Sequence, residues 1–280
     1  MNKLVKKILP KAIGSYINAL AILSPKASAK KAFKVFSKPR RGRIGPHHEG
    51  FLKPNLEPQV TVEEHTIQPY RWPGTGKTIV LVHGWESHTH RWKDMILRFQ
   101  EEDYNIIAFD APAHGYSSGK YFYVPLYHKA LNVILNTYQP DYLIGHSMGG
   151  MTVLYNQSQT DTFKTEKLVI LGAPDKLESI LKDYQKLLGL NNRALKALDA
   201  FFLKRFNFKT AEFSSSAFAK KIHVPTLVIH DKDDTITPAS GSHAIHSGLK
   251  KSEFIETKGL NHSLYDIEVN EKIVNFLKSK

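Results

Sequence analysis

Ser147 lies inside Gly145-His146-Ser147-Met148-Gly149-Gly150, between an apolar strand-like stretch and a helix-like one, with no room for an ordinary loop. Serine often caps a helix, its hydroxyl accepting from an orphan amide of the first turn. The other use of such a turn is to hold the hydroxyl out as a nucleophile, and that chemistry needs partners. A hydroxyl is a weak nucleophile at neutral pH, so a base must take its proton during attack. An imidazole base in turn needs a carboxylate that fixes its tautomer and stabilises the cation formed. The chain offers both: Asp231, Asp233 and Asp234 cluster in HDKDD, and His262 stands in GLNHS.

These residues must be brought together by regular elements, and the hydrophobic pattern supplies them. Lys77–His83 (KTIVLVH), Tyr104–Phe109, Asp141–Gly145, Lys167–Leu171, Thr226–His230 and Glu253–Glu256 read as buried strands, and Val60–Gln68 alternates like an edge strand. Helical periodicity falls between them, over Trp92–Phe99, Val124–Tyr138, Met151–Ser158, Ser240–Ser247 and Ile267–Leu277. Such alternation predicts an α/β class fold, a mostly parallel central sheet with helices on both faces. Sites in such sheets form beyond the carboxyl ends of the strands. His83-Gly84-Trp85, the DAPAHG run from Asp110, Ser147, the acid cluster and His262 all follow strands at that edge. Between Pro174 and Val224 no strand appears, and Leu177–Leu188 and Leu195–Phe206 mark two amphipathic helices, expected as a helical lid over residues 175–222.

Gly-x-Ser-x-Gly on a strand-to-helix turn, followed in order by Asp and His, resembles the α/β-hydrolase superfamily, in its serine esterase and lipase-like form with a helical lid after strand 6. GHSMGG, HGW, DAPAHGYS, HDKDD and the late NH of GLNHS carry the resemblance from about residue 60 to the C-terminus. It implies Ser147 as nucleophile, His262 as base and Asp234 as acid, with Asp175 in GAPD and Asp233 as alternatives for the acid. The amide of Met148 at the helix start supplies one oxyanion donor, and the resemblance implies the amide of Trp85 as the other. His83 and His146 abut turns and read as structural. His88 and His90 have metal-like spacing but no third ligand nearby, so no metal site is expected, and this chemistry calls for no cofactor.

The implied reaction is hydrolysis of a carboxylic ester or thioester through an acyl-enzyme on Ser147, with an apolar acyl or alcohol part suggested by the apolar lid residues. A carbon–carbon bond hydrolase, a perhydrolase or an acyltransferase would use the same three side chains, and a non-catalytic ligand-binding protein is the reading from a different class. Apart from the small-molecule ester, partners are constrained by charge. The 280 residues carry a formal +13, with twelve Lys or Arg and no Asp or Glu in residues 1–43. A basic face confined to one end does not track a phosphate backbone, so no nucleic acid is expected. The expected organisation is a basic amphipathic arm and linker over 1–58, suited to peripheral contact with a membrane or anionic partner through residues 1–43, and a hydrolase domain over 59–280. Within the arm Leu4, Ile8, Ile13, Ile17, Leu20, Ala21, Phe33 and Phe36 recur at near-helical spacing. MNKLVKK and Ala27-Ser28-Ala29 echo an export signal, but Pro10, Lys11, Asn18, Pro25 and Lys26 interrupt it, which favours a cytoplasmic protein. No run is long and apolar enough for a membrane span.

Overall fold

The computed structural model of the chain describes residues 3–160 and 162–279. Met1, Asn2, Asp161, Lys280 and the side chains of residues 3–7 lie outside the described residues, and with them the basic start of the arm and the Leu4 side chain. The elements are α1 (Lys3–Leu23), α2 (Pro25–Phe36), α3 (Pro46–Leu52), β1 (Val60–Val62), β2 (His65–Ile67), β3 (Pro69–Trp72), β4 (Thr78–Val82), α4 (Lys93–Glu101), β5 (Asn105–Phe109) and α5 (Val124–Tyr138). They continue with β6 (Tyr142–His146), α6 (Met148–Gln157), β7 (Lys167–Leu171), α7 (Leu177–Leu188), α8 (Asn192–Phe206), α9 (Ser215–Ala219), β8 (Thr226–Asp231), α10 (Ala239–Gly248), β9 (Ser252–Thr257) and α11 (Ile267–Lys278). Two compact units emerge, one from residues 39–175 with 215–280, the other from residues 1–38 with 176–214.

The larger unit is built on a sheet of order β3-β5-β4-β6-β7-β8-β9, parallel except for β3, which runs antiparallel to β5. Ile79, Val80, Leu81, Leu143, Ile144, Val169, Ile170, Val228 and Ile229 are fully buried, because helices cover both faces and leave no solvated side for polar residues. Each such side chain contributes about 1.5–3 kcal/mol relative to exposure. The register pairs Val82 with Gly145, Gly145 with Ile170, and Ile170 with Val228, so the carboxyl ends of the central strands form one edge.

Two local expectations are corrected. Residues 60–68 are not one edge strand: β1 and β2 form a separate antiparallel hairpin turning at Glu63, whose φ of 53° no glycine announces. The edge of the main sheet is β3 instead, where Pro69 at the strand start costs little because its missing N–H would not serve a central ladder. The linker from Pro39 to Pro58, whose Pro, Gly and Arg content reads as an extended connection, is also not wholly extended. Pro46 begins α3, a position that suits its fixed φ, and Leu52 at the far end is fully buried.

The smaller unit joins the N-terminal helices to α7 and α8, segments that the sequence presents as an amphipathic arm and a helical lid. α1 meets α7 at Gly14, where a Cβ would lie 1.9 Å from the Leu188 carbonyl oxygen. Asn18 Nδ2 donates to Gly189 O at 2.9 Å, and Asn191 N donates to Asn18 Oδ1 at 2.9 Å. Phe33 on α2 sits among Phe201, Phe202 and Phe206 of α8, with ring centroids 5.1, 5.6 and 5.8 Å away. The Tyr184 hydroxyl donates to Ala32 O at 2.8 Å. Amphipathicity of each segment is thus resolved by mutual burial, with Ile17, Ala21 and Ala32 fully covered.

Candidate active site

β6 delivers His146 to the sheet edge and α6 starts at Met148, which leaves Ser147 alone to make the turn. Its φ of 54° and ψ of −124° are a conformation that a residue with a Cβ occupies only under strain, of order 1–3 kcal/mol. The neighbouring glycines make the turn sterically feasible. A Cβ on Gly149 would lie 2.2 Å from Val82 O, and one on Gly145 would lie 2.8 Å from Gly150 Cα. Ser147 occupies the N-cap position of α6, yet its side chain makes no capping hydrogen bond. Its Oγ instead lies 2.9 Å from His262 Nε2.

The other face of that imidazole meets Asp234, whose Oδ2 accepts from His262 Nδ1 at 2.7 Å. Asp234 leaves β8 on a tight turn in which Oδ1 accepts from the amides of Ile236 and Thr237 at 2.7 and 2.9 Å. The Thr237 hydroxyl donates to Oδ2 at 2.7 Å, and His230 Nε2 lies 3.3 Å from the same oxygen. Only 1% of the Asp234 side chain is exposed. Burial by itself raises its carboxyl, but the donors His262, Thr237 and Ile236 outweigh that effect and hold it below the ordinary aspartate value. An ionised Asp234 keeps the proton of His262 on Nδ1 and turns the Nε2 lone pair toward Ser147.

Asp175 is occupied elsewhere, its Oδ1 accepting from Ser216 N at 2.8 Å. Asp233 accepts from Gly259 N at 3.1 Å, and Asp231 accepts from Thr257 Oγ1 and Leu260 N at 2.8 and 2.9 Å, so both brace the loop that carries His262. His146 holds the same loop through Nε2, 2.8 Å from the His262 carbonyl oxygen. His83 donates from Nδ1 to Gly84 O at 2.8 Å and accepts the Ala111 amide at Nε2 at 2.9 Å, tying two strand-end loops together. Burial holds His83 and His146 well below the ordinary histidine value, which suits bracing rather than proton transfer at neutral pH.

Met148, one residue whose amide is expected as an oxyanion donor, directly follows the serine, and the other, Trp85, follows Gly84. Met148 N opens α6, and Gly84, which precedes Trp85, is so near that a Cβ on it would lie 2.8 Å from Ser147 Cβ. The Trp85 ring packs on Phe122 and His114, with centroids 5.3 and 5.8 Å away. His88 and His90 gather around His48 at centroid distances of 4.7 and 4.2 Å, and among the described residues no group of three or more His, Cys, Asp or Glu could hold a metal ion. A cavity of about 550 Å³ lined by Arg91, Met95, Arg98, Leu264 and Tyr265 contains neither Ser147 nor His262. Two residues of the site were missed in the sequence. Thr237 and His230 both address Asp234, and their only signal is position, one three residues after the acid and one at the strand end before it.

Residues 74–200 match the family described as serine aminopeptidase, S33. The non-heme haloperoxidase of Rhodococcus erythropolis is 24% identical over 273 residues, covering 79% of this chain and 100% of that protein. The bifunctional esterase/perhydrolase DCH of Acinetobacter calcoaceticus is 24% identical over 261 residues, covering 74% of this chain and 94% of its own. The crystal structure of a bromoperoxidase from Bacillus anthracis superposes with a TM-score of 0.62 at 22% identity, covering 79% of this chain and 99% of that one. Among the described residues, no helix is long and apolar enough to cross a membrane.

Proposed function

We infer that this chain, which belongs to the α/β-hydrolase superfamily, is a serine hydrolase that cleaves a carboxylic ester or thioester through an acyl-enzyme on Ser147. The supporting observation is a serine hydroxyl that caps nothing, 2.9 Å from an imidazole that is held at 2.7 Å by a buried carboxylate. Ser147 Oγ attacks the carbonyl carbon while His262 Nε2 takes its proton, and Asp234 stabilises the imidazolium that forms. The amides of Met148 and Trp85 receive the oxyanion. Collapse of the tetrahedral intermediate expels the alcohol or thiol, protonated by His262, and water then attacks acyl-Ser147 with His262 again as base. The acid leaves and the serine regains its proton.

An apolar acyl or alcohol part is proposed from the apolar side chains next to the nucleophile, Met148 and the Trp85 ring packed on Phe122. The test is the rate series on p-nitrophenyl esters of rising acyl length: medium chains should be favoured over acetate and Ser147→Ala should abolish turnover, and an equal or opposite preference refutes the apolar part. A perhydrolase reading is favoured by one observation, the names of the haloperoxidase and esterase/perhydrolase relatives. There hydrogen peroxide replaces water in attacking acyl-Ser147 and releases a peracid, so peracid formation from a carboxylic acid and peroxide, lost in Ser147→Ala, is its readout.

A further inference from the structure

The charge of this chain is sorted between its two units. Residues 1–38 and 176–214 hold seventeen Lys or Arg against four Asp or Glu, which is the entire net +13, while the rest of the chain has twenty-two of each. Within that basic unit α1 has two apolar faces where a surface helix has one. Ile17 and Ala21 are buried on the inner face. On the outer face, at 100° per residue, Ile8, Leu9, Ala12, Ser15, Tyr16, Ala19, Ile22 and Leu23 share one arc, all of them exposed and none charged. Ile8, Leu9, Tyr16, Ile22 and Leu23 are 55%, 48%, 54%, 64% and 82% exposed. Scattered exposed apolar residues are ordinary, but a stripe of this length marks an interaction surface.

The neighbouring helix indicates what lies against the stripe. α2 exposes Lys26, Lys30, Lys31 and Lys34, and among the described residues no salt bridge joins any of them to a carboxylate. Lys31 Nζ lies 5.7 Å from the centroid of Tyr16, so cations stand at the rim of the apolar arc beside an amphipathic ring. Lysines beside an apolar strip fit a surface that is negative at its face and hydrocarbon just beneath. A nucleic acid would meet the lysines but leave the strip without a partner. We propose that the α1–α2 face docks on a bilayer containing anionic lipid, with the outer arc of α1 lying in the headgroup and acyl boundary and the α2 lysines on the headgroups. This anchoring is independent of the chemistry at Ser147.

The test is co-sedimentation of the full chain with vesicles of phosphatidylcholine alone and with added phosphatidylglycerol. Binding should require phosphatidylglycerol and weaken as salt is raised. It should fall about tenfold or more in Leu9→Gln/Tyr16→Ser/Leu23→Gln and in Lys26→Glu/Lys30→Glu/Lys34→Glu, with ester turnover in solution unchanged. If the triple variants lose helix content, single Leu23→Gln carries the test, because that side chain, 82% exposed, has little packing to lose. Equal sedimentation with both vesicle types, no sedimentation with either, or wild-type binding by the apolar-face variants overturns the proposal. So does lipid-free self-association that the apolar-face variant abolishes, since a second copy is then the occupant.

Discussion

Replacing Asp234 by Asn removes one charge from the site while leaving its shape. Asn Oδ1 can still accept the amides of Ile236 and Thr237, now at 2.7 and 2.9 Å from the carboxylate. The amide nitrogen then stands where Oδ2 accepts His262 Nδ1–H at 2.7 Å, and it can only donate. His262 must turn to the tautomer protonated at Nε2, which faces Ser147 Oγ and can no longer take its proton. Turnover of a soluble p-nitrophenyl ester should therefore fall by about 10⁴-fold, equivalent to roughly 5 kcal/mol in the barrier. Thermal melts at several pH values add a second readout. The folded-state value of the Asp234 carboxyl is lowered, so its contribution to stability is present above the unfolded value, about 3.9, and is lost as pH falls through the folded value. The gap between wild type and Asp234→Asn should be widest near neutral pH and close in acid. A folded variant with turnover within about tenfold of wild type would refute the assignment of Asp234.

Thr237→Val deletes the hydroxyl that donates to Asp234 Oδ2 at 2.7 Å. Losing a charge-assisted bond to a buried carboxylate should cost about 1.5–3 kcal/mol, and because the carboxyl rises toward its ordinary value, acid unfolding should begin at a higher pH than in wild type. At Ser147, with φ 54°, Gly carries no Cβ strain. Ser147→Gly should thus be inactive yet melt about 2–4 °C above Ser147→Ala, in differential scanning calorimetry, for a net gain of about 1 kcal/mol.

How far the sequence reaches depends on whether a residue's role is written in its own neighbourhood. Gly145 and Gly149 flank the turn at positions where a Cβ would collide with backbone, so the elbow around Ser147 is legible, and the β-branched runs of β4, β7 and β8 read as buried strands. The spans of α5 and β7 match their expected bounds for the same reason. The β1–β2 turn was hidden because Glu63 takes a positive φ without glycine or asparagine as a signal. α3 was hidden because proline reads as a breaker inside a helix and as a starter at its first position. Thr237 was missed because its role lies in a hydrogen bond to Asp234, and His230 because it reaches the acid's turn by donating from Nε2 to the Thr237 carbonyl oxygen, and no local pattern encodes either. The arm's sequence is amphipathic, but amphipathicity tells that a face is covered and not by what. That Phe33 would meet Phe201 and Phe202 is a long-range contact without a periodic signature.

Fluorophosphonate labelling followed by intact mass measurement asks whether the hydroxyl at residue 147 is activated by His262, whose Nε2 lies 2.9 Å from it. Wild type should gain a single phosphonyl group, Ser147→Ala none, and His262→Ala should react at least about 10²-fold more slowly while remaining folded. Labelling of Ser147→Ala to the wild-type extent, or a His262→Ala variant that reacts as fast as wild type, would contradict the account.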